Sequence, residues 1–304
     1  MYIEILLWYI LFAFLSALFT SLTTVFAKIG IKNVNSNFAT WFKTGIVILF
    51  SLLLCFLSSS IYQFNNLTVN NYVFLVLSGL ATGCSWLCYY KALKLGDINK
   101  VAPIDKSSFI LTSILFMIFF FDSTTKNGNV VTIIMLFVSI ILMFIGTLLM
   151  IEKKDSNDST SKKWLIYAIL SAVFASLVSL FIKIGLKDTP TDLGTLIRTI
   201  IVFIFSSCIV LVKKDYKCAK SIDLKSWIFL ILSSFATGGA WLFEYEALKQ
   251  VDVNPVVVSS ITKLAILLTI LFSYTILKEK FSKKSLFGLF LMVLGIVVII
   301  IFGL

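Results

Sequence analysis

A stretch beginning at Ala81, ATGCSWLCYYKALKLGD, returns 155 residues later from Ala236 as ATGGAWLFEYEALKQVD. At the same shift Ser78 to Asp97 matches Ser233 to Asp252 at 11 of 20 positions, and Leu15 to Thr44 matches Leu170 to Thr199 at 13 of 30. A duplication of this length constrains the fold more than any single motif, because whatever one half builds the other must build again.

Both halves consist of apolar runs of about twenty residues, enough at about 1.5 Å per residue to cross a hydrocarbon core of about 30 Å. Ten such segments are read: Ile5 to Ile29, Phe38 to Leu57, Tyr72 to Leu93, Val101 to Phe121, Val130 to Ile151, Trp164 to Ile184, Leu193 to Val212, Trp227 to Leu248, Val253 to Leu277 and Leu286 to Leu304. An open strand in lipid would leave its backbone groups unpaired, so each segment must be a helix. With 59% hydrophobic and 13% charged residues in 304, the expected fold class is an all-α polytopic membrane protein of ten transmembrane helices. Residues 1–151 form the first five-helix repeat, residues 152–163 (EKKDSNDSTSKK) a polar linker, and residues 164–304 the second repeat. The N-terminus, MYIEILLWYI, has no basic region and no small-residue cleavage site follows, so the first run is expected to be a retained helix.

Five is odd, so equivalent helices should cross in opposite directions. The lysines agree: the loop after helix 2 has none, whereas its counterpart after helix 7 has Lys213, Lys214, Lys217, Lys220 and Lys225. Lys126 alone follows helix 4, against Lys278, Lys280, Lys283 and Lys284 after helix 9, and the bias reverses between helices 3 and 8. The pattern predicts two inverted repeats. The odd-numbered connections carry 18 basic residues and the even-numbered connections and termini carry 4. That count places both termini outside the cell and the linker in the cytoplasm.

A net charge of +11 suggests nucleic acid only when an exposed domain carries it; here the basic residues sit in short loops, and no nucleic-acid partner is expected. The five cysteines form no CxxC, which argues against a zinc site or a disulfide framework. The absence of histidine removes HExxH sites, Ser-His triads and imidazole relays. No metal, cofactor or enzymatic activity is therefore expected.

Ionisable residues within spans cost about 2.5 to 3.5 kcal/mol each on insertion scales unless they face a wet cavity or a partner, which makes them the informative positions. Lys43 in helix 2 and Arg198 in helix 7 occupy equivalent places, and Arg198 is the one arginine among 26 basic residues. Its planar fork suits bidentate contact with a carboxylate or phosphate; snorkelling to the interface is the structural alternative. Lys263 lies mid-way along helix 9 and pairs, allowing a two-residue insertion, with Lys106 beside Asp105 in helix 4. These would form a polar site where the repeats meet, or an internal Asp/Lys pair that ties helices together. Thr82, Trp86 and Tyr90 recur four residues apart on helix 3, and Thr237, Trp241 and Tyr245 repeat them on helix 8. Paired aromatic walls suit an apolar or cationic ligand, with packing as the alternative. Glu244, where the first repeat has Tyr89, is the candidate for coupling or charge recognition. Gly79 and Gly83 make a GxxxG, read as packing. Pro103 and Pro255 suit the first turns of helices 4 and 9. Lys28 with Gly30 and Lys183 with Gly185 read as helix ends, cation near the last carbonyls and glycine where the helix stops.

The KIG ends of helices 1 and 6, Lys43 and Arg198, GLATGCSWLCYYKALKLGD in helix 3 and VAPIDK opening helix 4 together resemble the EamA branch of the drug/metabolite transporter superfamily. The second half departs from that pattern with VNPVVVSSITK. The resemblance implies a cavity lined by helices 1 to 4 and 6 to 9, with helices 5 and 10 peripheral, and alternating access. It also implies efflux of amino acids, drugs or other small metabolites, and both termini in the cytoplasm, opposite to the lysine count. The expected activity is thus secondary transport of a small molecule across the plasma membrane. Lys43, Arg198, Lys263, Trp86, Tyr90, Trp241 and Tyr245 would bind substrate, and Asp105, Lys106 and Glu244 would serve coupling protons. Uptake on the same scaffold, and a receptor or intramembrane enzyme, are the alternatives. The partners expected are a small-molecule substrate, the lipid bilayer and protons.

Overall fold

The computed structural model describes residues 2–30, 34–95, 104, 108–125, 128–150, 163–249, 254–277 and 283–303. The first half contributes α1 (Tyr2–Gly30), α2 (Ser36–Leu57), α3 (Val69–Leu95), α4 (Ser108–Phe119, continued by the turn Phe121–Thr125) and α5 (Val130–Met150). The second contributes α6 (Lys163–Gly185), α7 (Thr191–Lys213), α8 (Leu224–Lys249), α9 in two pieces, α9a (Pro255–Thr262) and α9b (Leu264–Leu277), and α10 (Lys283–Gly303). Short 3-10 turns, η1 (Ser60–Asn66) and η2 (Asp215–Ser221), follow α2 and α7. Among the described residues eight helices are long and apolar enough to cross a membrane, and α4 and α9 are the shorter ones.

Helix 9 is expected as one span and is instead divided at Lys263. There the backbone N–H bonds the Ser260 carbonyl at 3.0 Å, three residues back rather than four, and the Thr262 hydroxyl takes the carbonyl of Ser259 at 2.8 Å. Pro255 occupies the first turn of α9a behind the N-cap Asn254, as its missing N–H requires. Pro103 lies outside the described residues.

The most extensive helix contacts are α3 with α6, α1 with α8, α5 with α10 and α2 with α7. Advancing each number by five turns α1–α8 into α6–α3 and maps α2–α7 and α5–α10 onto themselves, which is the signature of a two-fold relation between the halves. Asn35 and Asn37 at the start of α2 reach Asp215 beyond the end of α7, and Ser58 and Ser60 beyond the end of α2 reach Asp192 in the first turn of α7. A Cβ on Gly146 of α5 would stand 2.5 Å from the Gly288 carbonyl of α10, and one on Gly295 would stand 2.9 Å from that of Ser139. Equivalent helices therefore run antiparallel in contact, and the repeats are inverted.

Lipid tails are as apolar as leucine, so helices associate by close packing rather than by hydrophobic exclusion. Leu49, Leu53 and Phe56 of α2 and Phe287, Phe290 and Ile301 of α10 face outward, while hydroxyls such as Ser78, Ser85, Ser171 and Ser233 are buried. Ser85 and Ser171 each donate to the other's carbonyl at 3.1 Å, fixing α3 against α6. The GxxxG of α3 packs on α7: a Cβ would meet Ile201 at 2.8 Å from Gly79 and Phe205 at 2.4 Å from Gly83.

α1 and α6 end at Gly30 and Gly185, as the sequence suggests. Lys183 lies in the last turn of α6, as read. Its ammonium also donates to the Leu248 carbonyl in the last turn of α8. A helical side chain leans toward the N-terminus of its helix, so Lys183 reaches back past its own last carbonyls. Those of Gly185 and Lys187 are taken by the Asn71 amide at 3.0 and 2.7 Å. The Lys28 side chain lies outside the described residues.

Candidate functional site

Arg198 stands seven residues into α7, about 10 Å from its start, and is 3% exposed. Gly79 lets α3 come within 3.1 Å of the Arg198 carbonyl, measured from the Cβ it lacks. One turn further along α3, the Thr82 hydroxyl donates to the Ser78 carbonyl at 2.9 Å. Its lone pair thereby accepts from Nη2 of Arg198, also at 2.9 Å. Trp241 of α8 lies under the guanidinium, 4.5 Å from Cζ to the ring centroid, and Tyr245, one turn on, lies at 5.8 Å. Away from water such a cation over a ring gains about 2 kcal/mol.

The cradle leaves donors over. Nε and Nη1 of Arg198 and the Tyr245 hydroxyl are buried and find no hydrogen-bond partner among the described residues. Half-buried Glu244 precedes Tyr245 and stands within electrostatic reach of both Lys263, at the break in α9, and Arg198. Contributions from α3, α7 and α8 thus meet around the guanidinium and an indole face, with Lys263 of α9 within electrostatic reach of Glu244.

Two residue ranges, 7–146 and 162–301, each match the family described as the EamA-like transporter family. The chain belongs to the EamA-like transporter family. It is also similar to a Sinorhizobium protein named an uncharacterized transporter in the cobO 3' region, at 42% identity over 107 residues, covering 35% of this chain and 76% of that protein. A solved structure titled only as the crystal structure of a protein aligns with a TM-score of 0.70 over 95% of this chain and 96% of its own, at 13% identity, and so shares the fold. The family and the named relative identify a multi-pass membrane transporter, and point to transport rather than catalysis.

Within this EamA-like transporter, the structure brings Arg198, Trp241 and Tyr245 into one cluster, with Glu244 and Lys263 close enough to act on it. Trp86 is half-buried on α3, one turn beyond Thr82. The Tyr90 side chain, and Asp105 and Lys106 entirely, lie outside the described residues. Lys43 is half-buried on α2 and makes none of the contacts that hold Arg198. Thr82 was legible as part of the Thr-Trp-Tyr stripe, but its role was not. Nothing in the spacing along α3 indicates that a hydroxyl there accepts from a residue 116 positions away.

Proposed function

We propose that this EamA-like transporter exports a small metabolite bearing a carboxylate or comparable anionic group, an amino-acid-like compound or drug, by alternating access. The observation that carries this reading is the buried Arg198 fork with Nε and Nη1 unpartnered among the described residues. Charged donors left unpaired away from water cost about 1 to 3 kcal/mol or more, and an anion presented by the substrate relieves that cost. Guanidinium geometry favours a planar two-oxygen acceptor. Trp241 and Tyr245 supply one wall and Trp86 and Tyr90 the other, with Lys43 and Lys263 completing a positive lining. Glu244 is the group we assign to coupling protons, with Asp105 and Lys106 of helix 4 as its counterparts. The lysine distribution supports a plasma-membrane orientation with both termini outside.

The test compares extracellular metabolites of cells producing the unmodified protein and the Arg198→Ala variant at equal membrane abundance. A compound that accumulates outside only with the unmodified protein is expected. Indistinguishable profiles would refute export through this site. For the identified compound, a Glu244→Gln variant with unchanged rate and pH dependence would remove Glu244 from coupling.

A further inference from the structure

The two ends of the α2–α7 pair carry the same latch built from different chemistry. At one end Asn35 and Asn37 donate their amide N–H groups to the two carboxylate oxygens of Asp215 at 2.9 and 2.6 Å. At the other, Ser58 and Ser60 donate hydroxyls to Oδ2 of Asp192, Ser60 at 2.6 Å, while Oδ1 accepts the Leu193 N–H at 2.9 Å. With the repeat shift of 155, Asn37 becomes Asp192 and Ser60 becomes Asp215. The latches are therefore one symmetric contact in which the carboxylate has changed sides. The backbone is matched as well: Ser59 and Lys214, which open η1 and η2, are also 155 apart and share a left-handed φ of 59° and 57°. Neither latch touches Arg198, Trp241 or Glu244.

We propose that these two latches are the alternating gates of the transporter, each holding α2 to α7 at one membrane face and each released when the other face is shut. The inference rests on the alternating-access reading above. In this structure both latches are closed, and parting α2 from α7 at either membrane face requires breaking the latch at that end. Each is a charge-assisted contact at the end of a span, where water is at hand to take over the freed groups. Such contacts are strong enough to hold a closed end and weak enough to exchange with solvent.

Native cysteines report on each end. Cys55 is buried against Ser60 and Asp192. Cys218 lies in η2 beside Asp215 and is half-buried against the Val34, Phe38 and Leu230 cluster. Two full-length proteins, one keeping only Cys55 and one only Cys218, would be placed in lipid nanodiscs and labelled with N-ethylmaleimide. Asp192→Ala is expected to speed Cys55 labelling by at least about tenfold, the effect of losing charge-assisted hydrogen bonds, and to slow Cys218 labelling about twofold as the population shifts. Asp215→Ala is expected to speed Cys218 labelling and leave Cys55 protected. Ser60→Ala, which removes one donor and leaves the carboxylate in place, must move both rates as Asp192→Ala does, by a smaller factor. Both cysteines speeding up together, or neither changing, would overturn the proposal. Labelling needs no substrate, so a failure here is separate from a failure to find an exported compound.

Discussion

Arg198 on α7 and Lys43 on α2 hold equivalent positions in the two repeats, yet it is Arg198 that is hydrogen-bonded to Thr82 and laid over Trp241. The same divergence runs through their neighbours. Thr82 accepts from Arg198, whereas its counterpart Thr237 faces the Thr23 hydroxyl of α1 at 3.3 Å; Tyr89 has Glu244 as its counterpart. What is shared is the frame: Gly83 against Phe205 is repeated as Gly238 against Phe50. Backbone approach, set by glycine and by ring packing, is symmetric, while among the described residues the hydrogen-bonded, ring-covered guanidinium belongs to one half. An inverted repeat needs the first to present the same scaffold to both sides of the membrane. It does not need the second in both halves for the substrate proposed above, which presents one anionic group.

The largest expected effect tests that asymmetry directly. Arg198→Ala should lower export of the identified compound by at least about a hundredfold, the equivalent of losing about 3 kcal/mol from a bidentate charged contact. Lys43→Ala should lower it by less than about threefold, as Lys43 makes none of the hydrogen-bond or ring contacts that hold Arg198. Equal losses would make the site symmetric after all. A smaller effect isolates the hydroxyl. Thr82→Val keeps the shape but removes the acceptor that orients Nη2. It should raise the half-saturating concentration by about tenfold at unchanged abundance, the cost of one hydrogen bond to a charged group. Thr237→Val should change it by less than about twofold, since both partners of the Thr237 hydroxyl, the Thr23 hydroxyl and the Ser233 carbonyl, are neutral.

The shared frame predicts the opposite pattern. Gly83→Ala and Gly238→Ala would bring a Cβ to 2.4 and 2.6 Å from a phenyl ring. Each should destabilise the protein by about 1 to 3 kcal/mol through overpacking, visible as similar falls in the midpoint of thermal unfolding in detergent. A large difference between the two would break the symmetry where the structure places it.

The smallest effect is at the helix starts. Thr68 and Asn71 open α3 through mutual hydrogen bonds, and at the equivalent place Asp223 accepts from the Ser226 hydroxyl and N–H ahead of α8. Those hydrogen bonds from Ser226 hold the Asp223 carboxyl below the usual carboxylate range. A group whose folded pKa is depressed stabilises above its unfolded pKa and loses that contribution as pH falls through the folded value. The thermal midpoint of Asp223→Asn should therefore lie slightly below that of the unmodified protein at neutral pH and converge with it in acid. Thr68→Ser, which keeps a neutral cap, should give a difference that does not change with pH.

The helices were legible because each is long, apolar and bounded by polar loops; the expected edges of helices 2, 5, 6 and 7 fall within two residues of α2, α5, α6 and α7. The inversion was legible because lysine counts respond to orientation. The division of helix 9 was not, since an apolar run looks the same whether its hydrogen-bond ladder is regular or tightened for one step. Arg198 stood out through its rarity and Glu244 through its cost in a span, both properties of single residues. Thr82, Asn71 and the target of Lys183 depended on partners in other helices, and neither periodicity nor composition carries that information.

The sequence by itself determined that this chain is a duplicated, inverted set of membrane helices, because hydropathy, repeat spacing and charge bias are summed along the chain. It also narrowed the candidate chemistry to a few ionisable residues. Only the tertiary structure decided that the guanidinium of Arg198, and not the ammonium of Lys43, is held over an indole by a threonine. It alone decided that the α2–α7 pair is tied at both ends by carboxylates of the second repeat, each held by donors of the first. Such choices turn on distances of an ångström or less between helices far apart in the chain, and those distances are set by how glycines, hydroxyls and rings interlock once the helices meet.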